Sequence, residues 1–552
     1  MTSIMDPIIP AQRAHAMRAA GHWPQRLITD ALDEAAASRP DHVAIVDHNS
    51  LSGRSSTLSY RQLKRRVERM ALGLVGLGVE PGDVVAFQLP NWWQFTALYL
   101  ACVRIGAVAN PLMPIFRQRE LSFMLAFAEA KVLVVPQRFR GFDYPQMIAE
   151  LRGELPALRH VLVVAESPEG SFEQTLLARR WEDAPDAAAV LRARRPDPDA
   201  VTELQYTSGT TGQPKGVMHT ANTLLGNLQS IIASLQLTGH DTMLMASPLA
   251  HQTGFLYGML MPVLLGSKSV LMDIWDPEQA VRLIQDEGAS FTMGATPFVA
   301  DLADAPAAER YDLSSLRVFV TAGAPIPRVL VQRATERLGA AVISAWGMTE
   351  NGAATCTRPG DPPEKVFGTD GRPIPGMEVR VVDEPGRPVP TGAEGRLQAR
   401  GASNFVGYLK RPDAFGTDGA GWFETGDLAR LDADGYIRIS GRAKDLIIRG
   451  GENIPVVEVE GALYRHPAIQ DVAIVGMPDE RLGERGCAFA VLRPGQRFSF
   501  AEMVAFLEGE RMARQYFPER LEIVEALPRT ASGKIQKFKL RETATGLKPQ
   551  RS

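Results

Sequence analysis

Between Tyr206 and Thr220 the sequence reads YTSGTTGQPKGVMHT, in which Thr207, Ser208, Gly209, Thr210, Thr211 and Gly212 precede Lys215. The glycines leave backbone N–H groups unobstructed, the hydroxyls donate, and the lysine adds a positive charge. Together these suit a polyphosphate. The pattern differs from the Gly-Lys-Ser/Thr loop of nucleotide hydrolases, because Pro214 precedes Lys215 and Gly216 follows it. A flexible surface turn would share this composition. The strand-like ELQY before the run and the helical HTANTLLGNLQS after it favour the anion site.

An anion site of this kind needs elements to carry it. Runs rich in Val, Ile and Leu (HVAIVDH, DVVAFQLP, AKVLVVP, HVLVVAE, DTMLMASP, KSVLMDI, ASFTMGAT, LRVFVTAG) alternate with amphipathic stretches such as PEQAVRLIQDEG, whose apolar positions are Ala280, Val281, Leu283 and Ile284. Buried strands alternating with helices predict parallel α/β layers. From about Val379 short alternating strands with turn signals predict a β-rich subdomain, with a hairpin at Asp434-Gly435. After Gly441 the texture becomes α+β and ends in a basic tail. The expected organisation is α/β: an N-terminal domain over 1–441, its β-rich part over 379–441, and a C-terminal domain over 442–552. The stretch from Ala184 to Ala200 reads as a surface loop, and there is no internal repeat.

At 552 residues the chain exceeds one ordinary core, and 45% hydrophobic with 22% charged residues is globular composition. A net charge of -3 gives no reason to expect nucleic acid or anionic membrane. Cys102, Cys356 and Cys487 are far apart and form no CxxC pair, which argues against disulfides or zinc and for a reducing cytoplasm. The N-terminus mixes charge and proline too evenly for a signal peptide. The most apolar run, Phe255 to Gly266, is shorter than the roughly 20 residues of a spanning helix.

YTSGTTGQPKGVMHT resembles the signature loop of AMP-forming adenylating enzymes: acyl-CoA synthetases, nonribosomal adenylation domains and beetle luciferases. Further blocks follow in that family's order: LSYRQL, PLAHQTGF, AWGMTE, GWFETGDLARLDADGYIRISGRAKDLIIRGGENI and LPRTASGKIQK. The resemblance spans roughly Leu27 to Leu540. It implies that a carboxylate is joined to AMP with loss of pyrophosphate, and that a thiol then attacks the mixed anhydride. Thr207 to Gly212 and Lys215 would hold the phosphates, Thr349 would contact the α-phosphate, and Glu350 would help hold Mg²⁺. Asp427 would bind the ribose hydroxyls, reinforced by Arg442. The TAGAP segment, with Ala322, Gly323 and Ala324, would lie along the adenine and acyl group. Trp346, where a tyrosine is common, would stack on the adenine, beside Gly347 and Met348.

Lys534 would neutralise carboxylate and α-phosphate as they approach. The C-terminal domain would then rotate about Lys444, bringing Gly450 and Gly451 to line the pantetheine tunnel of coenzyme A. His251 would shape the entrance between acyl pocket and thiol, with a buried structural histidine as the other reading.

The expected pocket walls are His251, Phe255, Gly294, Ala295, Thr296, Ala322, Gly323, Gly347 and Met348. Gly347 stands where acetate-type relatives place a tryptophan, so a larger acid is expected. The resemblance is nearest to the medium-chain fatty acid and cyclohexanecarboxylate ligases, with cyclohexanecarboxylate preferred over hexanoate to decanoate and benzoate-type acids. Partners would be the acid, ATP and CoA, and a homodimer is kept open. Loading of a carrier protein, a luciferase-like oxygenase and a non-catalytic adenylate sensor are the alternatives. The last would have lost Glu350, Asp427 or Lys534, and all three are present.

Overall fold

The apolar runs resolve into two large sheets in the computed structural model, which describes residues 5–165, 170–207, 214–322, 328–442, 447–449, 452–479, 482–510, 512, 514–530 and 533–550. In the first sheet Val201–Thr207, Val108–Pro111, Val84–Phe87, Val132–Pro136 and His160–Val164 lie side by side and parallel. In the second, Thr242–Met245, Lys268–Met272, Phe291–Gly294, Val318–Ala322 and Ala341–Met348 are parallel. Antiparallel strands close that sheet's edges at Arg54–Ser59 and Gly352–Cys356 with Arg372–Pro373. Runs this apolar cannot show a wet face, and both sheets contribute to one extensive core.

The helix Pro277–Glu287 buries Ala280, Val281, Leu283 and Ile284, the positions its periodicity marks. It starts where the Asp276 carboxylate accepts from the Glu278 and Gln279 N–H groups, and it ends at left-handed Gly288. Two expectations are corrected. HTANTLLGNLQS does not follow the anion loop directly, because Lys215–Thr220 is a strand paired antiparallel with Val201–Thr207. The helix Ala221–Leu235 begins only after it, capped by Thr220. Residues 184–200 are not all loop, since Ala187–Ala193 is a helix, as three consecutive alanines favour.

An antiparallel sheet of Met377–Val382, Glu394–Gly401, Phe423–Leu431 and Ile437–Arg442 follows. The smaller C-terminal domain has its own sheet, dominated by Ile469–Asp479 and Gly483–Leu492, and separate apolar clusters. The N-terminal segment is stitched to residues 401–406. The Ile8 N–H donates to the Val406 carbonyl (2.6 Å), and half-buried Arg13 donates to the carbonyls of Gly401, Asn404 and Phe405. The Trp23 indole N–H donates to Ala402 (2.9 Å). Among the described residues no helix is long and apolar enough to cross a membrane.

Candidate active site

The parallel strands of the second sheet end together, with Gly294 opposite Thr321 and Ala322 opposite Ala345. The carboxyl edge of such a sheet is where ligands bind in α/β folds. In the first sheet, Thr207 and Lys215 face each other in register at the base of the anion loop. Ser208, Gly209, Thr210, Thr211 and Gly212 lie outside the described residues, as do Gly323, Ala324, Lys444, Gly450 and Gly451.

Strand Lys215–Thr220 is also bonded to residues 406–409, through Met218 N–H to Gly407 and Leu409 N–H to Gly216. That pairing brings Tyr408 beside Lys215, whose Nζ lies 4.7 Å from the ring centroid. The Tyr408 hydroxyl donates to Glu350 Oε1 at 2.7 Å, so the loop lysine and the buried carboxylate share one aromatic spacer. Burial, then the Glu350 charge, push the phenol far above its ordinary pKa, so it stays a donor.

The backbone of Thr349 and Glu350 is equally fixed. His219 Nε2 donates to the Thr349 carbonyl (2.8 Å), the Phe405 N–H donates to the Glu350 carbonyl (2.7 Å), and Asn351 Oδ1 accepts from the Met348 N–H. Burial lowers the His219 imidazole to about 4, leaving it neutral, with the proton on Nε2 assigned by its carbonyl acceptor. Sequence reasoning missed Tyr408 and His219. Their only signal is alternation along GVMHT and GYLK, which has meaning once the register is known.

Asp427 and Arg442 are cross-strand partners, and Arg442 Nε meets Asp427 Oδ1 at 2.6 Å. The other oxygen, Oδ2, accepts from the Trp346 indole N–H at 2.8 Å. The indole is thus more than a stacking surface: it donates to the expected ribose-binding carboxylate. Trp346→Phe removes that N–H from a buried carboxylate, and the KM for ATP is expected to rise about tenfold in steady-state assays, as for loss of one charge-assisted hydrogen bond.

Lys534 arrives from the other domain on a tight turn. Arg529 and Ile535 form a bridge, the Thr530 N–H donates to the Lys534 carbonyl (2.7 Å), and the Lys534 N–H donates to Thr530 Oγ1 (3.0 Å). Gly533 has φ +84°, and a Cβ there would stand 3.1 Å from Ala295 Cβ. The turn therefore seats against the end of strand Phe291–Gly294. Burial, then the Arg442 guanidinium, lower the Lys534 pKa, while Asp427 and Glu350 act in the opposite direction. Burial, then the Lys534 charge, lower His251 to about 3, so this imidazole is neutral. Lys534, Arg442, Asp427, Glu350 and His251 share one electrostatic neighbourhood.

Phe255 is fully buried and packs edge-on against Tyr99. A small cavity of about 10 Å³, room for one water, lies behind Gly294 and is lined by Ala246, Trp275, Met293, Phe298 and Leu302 among others. Gly347 has a backbone reason to be glycine. A Cβ there would fall 1.8 Å from the Gly352 carbonyl oxygen, across a hairpin with a register shift at Trp346/Gly347. Besides the space it leaves by comparison with a tryptophan, Gly347 therefore answers a backbone constraint, because a side chain here meets the opposite strand. Among the described residues no three His, Cys, Asp or Glu side chains cluster as a metal site.

Residues 32–409 match the AMP-binding enzyme family and residues 458–534 match the AMP-binding enzyme C-terminal domain. The chain belongs to the AMP-binding enzyme family, within the adenylate-forming superfamily. It is accordingly an AMP-forming acid–thiol ligase that works through an adenylate. It is 39% identical to the medium-chain fatty-acid–CoA ligase of Escherichia coli strain K12, over 96% of this chain and 93% of the relative. It is 35% identical to the 3-[(3aS,4S,7aS)-7a-methyl-1,5-dioxo-octahydro-1H-inden-4-yl]propanoyl:CoA ligase of Mycobacterium tuberculosis, over 94% of this chain and 99% of that one. Among solved structures, ATP-bound MatB from Rhodopseudomonas palustris superposes with a TM-score of 0.83 at 28% identity, covering 94% of this chain and 99% of the other.

Proposed function

We propose that the chain joins a medium-sized apolar carboxylic acid to CoA, with cyclohexanecarboxylate or a linear acid between hexanoate and decanoate as substrate. The observation that carries the chemistry is the convergence of Lys534, Arg442, Asp427 and Glu350 at the carboxyl edge of the second sheet. Asp427, gripped by Trp346 and Arg442, accepts from the ribose. Thr207 and Lys215 hold the phosphates at the loop base, and Thr349 meets the α-phosphate. Lys534 lies between carboxylate and phosphate, offsetting their repulsion as the bond to phosphorus forms.

Glu350 fits Mg²⁺ as a hard carboxylate whose Oε1 is engaged by Tyr408, and it would help hold the ion beside the phosphates. When bound, the ion neutralises phosphate charge. The approach of Lys534 to Arg442, Asp427 and Glu350 supports reading this arrangement as the adenylating one. For the thiol step the C-terminal domain turns about Lys444, Gly450 and Gly451 line the pantetheine path, and His251 stands at the thiol's entrance. The small uncharged side chains of Ala295 and Thr296 and the apolar Phe255 among the expected walls support an acid without a second charge. The names of the Escherichia coli and Mycobacterium tuberculosis relatives support medium-chain and alicyclic acids respectively.

A competition tests this reading. Purified protein with ATP, Mg²⁺ and CoA receives a pool of linear, alicyclic and aromatic acids, and mass spectrometry follows the thioesters. Cyclohexanecarboxyl or medium-chain thioesters are expected to dominate. Predominance of acetyl or benzoyl thioesters would refute the pocket reading, and AMP without thioester would point to a carrier protein as acceptor.

A further inference from the structure

Strand Val201–Thr207 leads directly into the anion loop, yet it carries a carboxyl group that the adenylating machinery does not use. Glu203 is 0% exposed and is paired through its backbone with strands on both sides, opposite Ala109 and His219. Its polar neighbour is the amide of Gln252, itself buried. Among the described residues none of Glu203 Oε1, Glu203 Oε2, Gln252 Oε1 or Gln252 Nε2 has a hydrogen-bond partner within bonding geometry. A buried polar group with no partner is costly. The two unpartnered groups are neighbours, with the Tyr99 phenol also within electrostatic reach of the carboxyl, so a small side-chain adjustment lets acid and amide bond one another. Burial holds the Glu203 carboxyl far above its ordinary range, so the neutral acid can donate to the amide oxygen and accept from the amide nitrogen.

The position of this pair gives it a purpose. Residues two apart on a strand face the same way, and the next residue on that face, Gln205, donates from Nε2 to the Ala250 carbonyl at 3.2 Å. Ala250 and Gln252 flank His251. The same turn is held from behind by Asn91, which accepts from the Leu249 N–H (2.8 Å) and donates to the Ser247 carbonyl (3.0 Å). The His251 ring is set by the turn in turn, its Nδ1 accepting from the Thr253 N–H. One strand therefore bonds Ala250 on one side of this histidine, sets Glu203 beside Gln252 on the other, and ends in the loop that takes the phosphates.

We infer that Glu203 is a positioning residue for the thiol step, acting through Gln252 to fix His251 and tying that residue to the strand that carries the anion loop. The inference rests on the reading of His251 as the residue at the thiol's entrance.

The test separates the half-reactions. Adenylate formation is followed by pyrophosphate exchange, and thioester formation is followed from supplied acyl-adenylate of the preferred acid while CoA is varied. Glu203→Leu is expected to leave exchange within about twofold and to raise the KM for CoA about tenfold, as loss of one buried hydrogen-bonded partner would. Glu203→Gln, which keeps a neutral donor and acceptor, is expected to restore the wild-type KM. Equal loss in both half-reactions, no change in either, or a Glu203→Gln variant as impaired as Glu203→Leu would overturn the inference. Should Glu203→Leu not fold, Gln252→Leu must show the same partition, and its absence would likewise overturn it. His251→Ala, assayed in parallel, distinguishes the two layers. If it leaves the CoA step untouched, the reading of His251 fails and this inference with it. If it impairs that step while Glu203→Leu does not, only the role of Glu203 fails.

Discussion

Lys534→Ala is expected to lower adenylate formation about 100- to 1000-fold while thioester formation from supplied acyl-adenylate stays largely intact. Lys534 is the cation that the C-terminal domain delivers to a site already holding Arg442, Asp427 and Glu350. A turn closed by Thr530 and seated against Ala295 presents it, so truncating the side chain removes charge without disturbing that mount. The pH dependence follows from its surroundings. Burial and Arg442 outweigh the two carboxylates and bring its pKa below 10.5, so the adenylation rate holds below the folded pKa and falls as pH rises through it. For stability the sign is opposite: the fold disfavours the charged form, and that cost disappears as the group deprotonates. The alkaline limb should appear in pyrophosphate exchange and vanish from thioester formation in the pH profiles. Equal loss of both half-reactions in Lys534→Ala would refute a role confined to the first.

Gly347→Ala is expected to cost adenylate formation about 100-fold or more, although it adds one methyl group. The new Cβ would sit 1.8 Å from the Gly352 carbonyl oxygen, and backbone on both sides must move to admit it. The segment displaced is the hairpin that presents Thr349 and Glu350, held by His219, Tyr408 and Asn351. Overpacking of this kind typically also destabilises by about 1–3 kcal/mol, which a thermal melt will register. Gly347→Trp should fail in the same way and so cannot read pocket size. If Gly347→Ala kept full activity and shifted preference towards short acids, the steric reading would be wrong and the open-pocket reading right.

Much of this was legible in the sequence where local chemistry and order sufficed. The eight apolar runs are strands, the Pro277–Glu287 face buries the four marked residues, and Asp427 and Arg442, paired in the sequence reading, form an ion pair. What escaped depends on pairing between distant segments. Tyr408 reaches Glu350 because residues 406–409 add to strand Lys215–Thr220, and that strand was hidden because it is short and runs straight into a helix. The indole N–H of Trp346 finds Asp427 from another sheet, a contact 81 positions away in sequence. At Gly347 a comparison of side-chain size at one position could not foresee the further constraint of a carbonyl across a hairpin.

The stitching of the N-terminal segment has a consequence for the order in which the protein matures. Arg13 leaves the ribosome early, but the carbonyls it serves lie 388 to 392 positions later. One of those residues, Phe405, also donates its N–H to Glu350. Contacts so far apart in sequence form late. During synthesis the anion loop and its strands emerge well before the clamp that steadies Glu350 can close. A nascent chain therefore passes through a stage in which strands Val201–Thr207 and Lys215–Thr220 have emerged while residues 401–406 have not, and the Glu350 backbone is steadied only once residues beyond 400 have followed.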